Sequence, residues 1–169
     1  MTTAELLDAA LVEEATKKSG LIWVRGERGV ERALWHVWHE GAACLVGDGP
    51  GEQPLPDLVD GSAALVTVRS KDKGGRLVGW HARVVELAPG SEAYEAAVGE
   101  LKGKRLNAPD ADTMLERWAR ECRVVRLEPS AEAVEPASDG SLAAVPMGSP
   151  ATTRNAVPAG LPKLLRRRR

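Results

Sequence analysis

Four runs of sequence decide the fold: Ala33-Leu34-Trp35-His36-Val37-Trp38, Ala42-Ala43-Cys44-Leu45-Val46, Ala63-Ala64-Leu65-Val66-Thr67-Val68-Arg69, and Arg76-Leu77-Val78-Gly79-Trp80-His81-Ala82-Arg83-Val84-Val85-Glu86-Leu87. Each is rich in strand-forming side chains and is bounded by turn residues. His39-Glu40-Gly41 fits a three-residue hairpin with glycine at positive φ, and Lys71-Asp72-Lys73-Gly74-Gly75 joins the second pair. Connections this short make neighbouring strands antiparallel. Between the two pairs lies Gly47-Asp48-Gly49-Pro50-Gly51-Glu52-Gln53-Pro54-Leu55-Pro56. It is too rich in glycine and proline for helix or strand and is the loop best placed to carry a function.

Outward from this core, Thr2-Thr3-Ala4-Glu5 reads as a capping box for a helix over residues 3–18, with Leu6, Leu7, Ala10 and Leu11 on one face. Gly20 ends that helix, and Leu21-Ile22-Trp23-Val24-Arg25 reads as an entering strand. Beyond the four strands, Ser91 is placed to cap a helix carrying Tyr94, Ala97, Val98 and Leu101 at amphipathic spacing. Asn107 or Asp110 is placed to cap the next helix, whose apolar stripe is Met114, Leu115, Trp118 and Cys122. Cys122-Arg123-Val124-Val125-Arg126-Leu127 then returns as a strand ended by Pro129. Hairpins with inserted helices define an α+β fold and exclude a purely parallel sheet.

A chain of 169 residues supports one core, placed over residues 1–129. Residues 130–169 are rich in Ala, Pro, Ser and Gly without a stable period and read as an unstructured tail. The formal charge of -1 hides an asymmetry: residues 151–169 carry a net +6, ending in Arg166 through Arg169, and the remainder carries -7. A terminal basic run is usually a solvated end, so neither nucleic acid nor membrane is indicated as a partner. The lack of a long apolar stretch and the helical character of the first residues lead to the expectation of a cytoplasmic protein. Cys44 and Cys122 read as structural thiols.

No Walker lysine motif, Gly-x-Gly-x-x-Gly, Gly-x-Ser-x-Gly or His-Glu-x-x-His occurs, which moves several enzyme classes out of the front rank. His36 and His39 fall on opposite faces of a continuous strand, so no metal site is expected. Arg69, Ser70 and Lys71 close a strand with two cations and a hydroxyl, a rim able to hold phosphate or simply a solvated edge. Arg76 adds a cation across the hairpin, and Trp80 either faces a planar ligand or fills the core. The glycines of 47–53 can expose backbone donors as an anion nest, with Gln53 adding neutral hydrogen bonds; a rigid proline-fixed connection is the alternative.

The Trp35-His36-Val37-Trp38 strand, the His39-Glu40-Gly41 hairpin, the strand into Gly47-Asp48-Gly49-Pro50, and Val66-Thr67-Val68-Arg69-Ser70 resemble the pyridoxamine 5'-phosphate oxidase-like proteins with an FMN-binding split β-barrel. Arg105-Leu106-Asn107-Ala108-Pro109 and Arg117-Trp118-Ala119-Arg120 resemble uncharacterised actinobacterial members of that group, and the match spans about residues 20–128. The resemblance implies an antiparallel split barrel with flanking helices, a homodimer, and FMN or a deazaflavin between protomers. It also implies a flavin-dependent oxidoreductase acting on a small molecule of unknown identity, with Arg69, Ser70 and Lys71 at the strand end that approaches the cofactor; Gln53, Arg76 and Trp80 join them as cofactor-binding candidates on their own chemistry, and no catalytic residue is assigned. The family's loop commonly has Ser or Thr followed by Lys or Arg, where this chain has Gly51, Glu52 and Gln53. That departure motivates the second expectation, a split-barrel ligand-binding or structural protein that has lost tight flavin binding.

Overall fold

The computed structural model describes residues 2–72, 75–132 and 134–136. Its elements are α1 (Thr3–Lys18), β1 (Leu21–Gly26), β2 (Arg32–Trp35), β3 (Val37–His39), β4 (Ala42–Gly47), β5 (Ala63–Arg69), β6 (Arg76–Glu86), α2 (Glu92–Lys104), α3 (Met114–Glu121), β7 (Arg123–Pro129) and β8 (Glu135–Pro136). Every strand pairing is antiparallel, in the order β2-β1-β5-β6-β7-β4-β3 with β8 on β6. This is the α+β fold that the hairpins lead one to expect, curled into the split barrel with flanking helices that the family resemblance implies.

The barrel curls because its two edge strands are consecutive parts of one run. Trp35 pairs with Leu21 of β1, whereas Val37 pairs with Cys44 of β4, and His36 is the point of exchange. Inside–outside alternation survives the exchange: Leu34 and Trp38 meet the barrel interior, and Trp35 and Val37 meet the layer beneath the helices. The intervening hairpin is one residue shorter than the sequence implies. His39 pairs with Ala42, leaving Glu40 and Gly41, both at positive φ (46° and 75°), as a two-residue turn.

Two cores share the central strands. Ile22, Val24, Val66, Val68, Val78, Trp80, Val84 and Leu127 fill the barrel, while Cys44, Val46 and Val124 point outward to Tyr94, Ala97, Val98, Leu101, Met114 and Trp118 of α2 and α3. β4 is therefore buried on both faces, consistent with its unbroken apolar sequence. Ser91 caps α2 by accepting from the Tyr94 amide at 3.1 Å. Neither Asn107 nor Asp110 caps α3, which begins after Thr113; Asp110 instead binds Arg117, Nε to Oδ2 at 2.6 Å.

The capping box at Thr2 and Glu5 forms, but α1 presents a different face from the one its leucines predict. Val12 and Thr16 are buried, whereas Leu6, Leu7 and Leu11 are 54%, 66% and 44% exposed. After β7, Glu135 and Pro136 lie along Gly79 and Val78 of β6. The rest of the expected tail, including its basic run, lies outside the described residues. Among the described residues no helix is long and apolar enough to cross a membrane.

Candidate functional site

β1 and β5 run side by side with Trp23 opposite Thr67, a register that carries Leu21 towards Arg69 at the strand end. The outer face of this pair, the start of β1 and the turn after β5 enclose a groove of about 450 Å³, lined by Ser19, Gly20, Leu21, Trp23, Arg69, Ser70 and Lys71. The guanidinium of Arg69 lies over the Trp23 ring at 5.0 Å, and its Nη2 bonds Glu31 Oε2 at 2.7 Å. Stacking and pairing together fix the long side chain, which lowers the entropy lost when a further group binds beside it. Ser70 is anchored through its amide, which donates to the Gly75 carbonyl at 2.7 Å. Lys71 is exposed at the rim.

Arg69, Ser70 and Lys71 thus share one groove. The other three sequence candidates stand elsewhere. Arg76 pairs with Arg69 across the hairpin but extends to Glu135, Nη1 to Oε2 at 2.7 Å. Trp80 is 1% exposed inside the barrel, donating from Nε1 to Thr16 Oγ1 at 3.2 Å and meeting Trp38 edge to face at 6.1 Å. Gln53 mimics a strand neighbour where β2 gives way to β3. Its Oε1 accepts from the Trp35 amide at 2.9 Å, and its Nε2 donates to the Trp35 carbonyl at 2.9 Å and the Val46 carbonyl at 3.3 Å. Trp23 and Glu31 were missed by sequence reasoning. The available signal was Trp23 in a strand able to lie beside the one ending in Arg69.

The 47–56 loop turns its polar groups towards the helices. The Glu52 side chain is 0% exposed and receives Arg105 Nε at 3.2 Å, Arg117 Nη2 at 3.1 Å and Trp118 Nε1 at 3.0 Å. Arg117 also donates to the Pro50 carbonyl at 2.7 Å and Arg105 to the Gly51 carbonyl at 3.1 Å. Two loop amides are used internally, Asp48 N to Gln53 O at 2.9 Å and Glu52 N to Gly49 O at 3.1 Å. The loop therefore offers carbonyls to cations, the opposite polarity to an anion nest. Gly49 is required by contact, since a Cβ there would lie 2.2 Å from Cys122 Sγ.

His36 is 0% exposed, its Nε2–H donating to the Thr16 carbonyl at 2.9 Å. Burial, joined by the Lys104 charge, pushes its pKa down to about 4 against the opposing pull of that carbonyl. Burial raises Cys44 to about 11 and also raises Cys122, so both thiols are held protonated and poorly nucleophilic. No group of His, Cys, Asp and Glu arranged to hold a metal occurs among the described residues.

The sequence matches no protein-family profile and no curated protein. Solved structures of similar shape include three with the following measures. The haem storage protein HutZ of Vibrio cholerae has a TM-score of 0.49 and 8% identity, over 75% of this chain and 92% of that one. An FAD- and haem-binding protein of Mycobacterium smegmatis has 0.48 and 16%, over 98% and 95%. The flavocytochrome Anf3 of Azotobacter vinelandii has 0.45 and 15%, over 96% and 92%.

Proposed function

We propose that this protein is a flavin-type oxidoreductase that binds a phosphorylated tricyclic cofactor, FMN or a deazaflavin, in the groove between β1 and the end of β5. The observation that carries the reading is the convergence of Arg69, Ser70 and Lys71 on an apolar groove containing Trp23. The donor set fits the group: two cations and a hydroxyl suit a phosphate, while Leu21, Gly20 and the Trp23 side chain suit the flat apolar portion. Arg69 is pre-set by Glu31 and Trp23, and Lys71 adds charge from the rim. When bound, the cofactor supplies hydride or electron transfer; the chain binds, orients and shields it. Among the described residues the helices pack chiefly on β3, β4, β6 and β7, leaving Trp23, Leu65 and Arg69 partly exposed on the outer face of β1 and β5. A second copy covering that face, in a homodimer, would complete the groove.

Identification of the cofactor in natively purified protein, by visible spectrum and mass, tests the proposal together with the mass of the assembly in solution. A coloured dimer is expected. Colourless protein that takes up neither FMN nor deazaflavin at micromolar concentration contradicts the cofactor assignment.

A second reading, a split-barrel binding or structural protein without tight flavin affinity, is favoured by one observation. The loop after β4 commits Glu52 to Arg105 and Arg117 and lends no cation to the groove. Phosphate affinity would then rest on the strand end alone.

A further inference from the structure

A second cavity is bounded by α1, the β3–β4 turn and the segment after β7. It measures about 660 Å³, within the range of small-molecule sites. Its apolar surfaces come from Val12, Trp38, Trp80 and Val134, and its charged residues are Glu5, Asp8, Glu13 and Glu132, with no lysine or arginine among the described lining residues. None of the residues of the Arg69 groove takes part.

The orientation of α1 makes this arrangement informative. Glu5, Asp8, Ala9, Val12 and Glu13 follow helical i, i+3, i+4, i+7, i+8 spacing and all line the cavity. Leu6, Leu7 and Leu11 point away and are exposed. A helix held only by burial would turn its leucines inward. Here Val12 and Thr16 take the inward positions, and three solvent-exposed carboxylates stand along the rim of the cavity above Trp38, which keeps its mouth negative and leaves an aromatic surface at its floor. Departures of this kind from hydrophobic pattern are where function is expected. Glu5 is held by its capping bond to the Thr2 amide and Glu132 by His81 Nδ1 at 3.1 Å. Asp8 and Glu13 make no hydrogen bond or ion pair with another described residue, so their charge remains for a ligand.

We propose that this cavity binds a small organic cation with an apolar body, its charged nitrogen beside Asp8 and Glu13 and its body against Trp38, Val12 and Val134. Tryptophan attracts cations through its ring face, and a carboxylate on the facing wall adds to that attraction in a partly desolvated space. An anion of the same size meets four carboxylates and is rejected. The site is independent of the flavin proposal.

The test uses the full chain titrated with benzyltrimethylammonium, with benzenesulfonate at matched ionic strength as the opposite-charge control, read by the indole N–H signals in proton–nitrogen spectra. Signals assigned to Trp38 and Trp80 by Trp38→Phe and Trp80→Phe are expected to shift saturably with the cation and not with the sulfonate. The double variant Asp8→Asn with Glu13→Gln is expected to weaken binding about fivefold while the unfolding midpoint stays in place, because neither carboxylate holds another described residue. Equal response to both probes, an unchanged affinity in the double variant, or shifts spread over all five indoles would overturn the proposal. So would silence of Trp38 and Trp80 in the full chain.

Discussion

Glu52 has a charge that is legible in the sequence and a direction that only the fold supplies. In sequence it stands where a phosphate-binding loop would want a cation; in space it is the buried end of a clamp holding the loop to Arg105, Arg117 and Trp118. Glu52→Gln removes the charge between two guanidiniums that are themselves only 23% and 17% exposed. A loss of about 2–3 kcal/mol is expected, at the low end for a broken buried pair because the arginines keep some solvent; urea unfolding measures it. His36 sets a pH dependence. Its folded pKa of about 4 lies below the ordinary 6.5, so between those values the unfolded chain binds a proton that the folded chain refuses. Its contribution is full above pH 6.5 and declines as pH falls towards 4, by about 3 kcal/mol in total. His36→Gln is expected to flatten that part of the stability–pH curve; an identical slope in the variant would show that other groups set it.

Among the elements, β2, β3 and α1 show what sequence patterns carry and where they stop. Alternation from Leu34 through Trp38 is legible because it obeys the local geometry of an extended chain. The change of partner at His36 is not, since it depends on β1 and β4 approaching from opposite ends of the curled sheet. Gln53 was legible as a hydrogen-bonding residue; only the fold shows that its amide completes the backbone of Trp35. The length of α1 was equally legible from its capping box and period, whereas its rotation was not. Leucine at three positions argued for the wrong face, because the cavity above Trp38 and Trp80 belongs to the tertiary shape. Chemical denaturation separates the two faces: Val12→Ala should cost about 2 kcal/mol, and Leu7→Ser should change stability by no more than about 0.5 kcal/mol in the monomer. The reverse order would mean that the leucine face is the one α1 buries.

At the scale of the molecule, two grooves of contrasting charge lie on one barrel, one ending in Arg69 and Lys71, the other rimmed by Glu5, Asp8, Glu13 and Glu132. The central claim concerns the first: it takes the phosphate end of a flavin. Comparing FMN with riboflavin, which lacks the phosphate, in wild-type protein and in Lys71→Gln tests it most directly, since Lys71 is exposed and its loss spares the core. FMN is predicted to bind about tenfold or more tighter than riboflavin, with most of that advantage lost in Lys71→Gln. Equal affinity for the two, or an FMN advantage untouched by the substitution, would contradict the account.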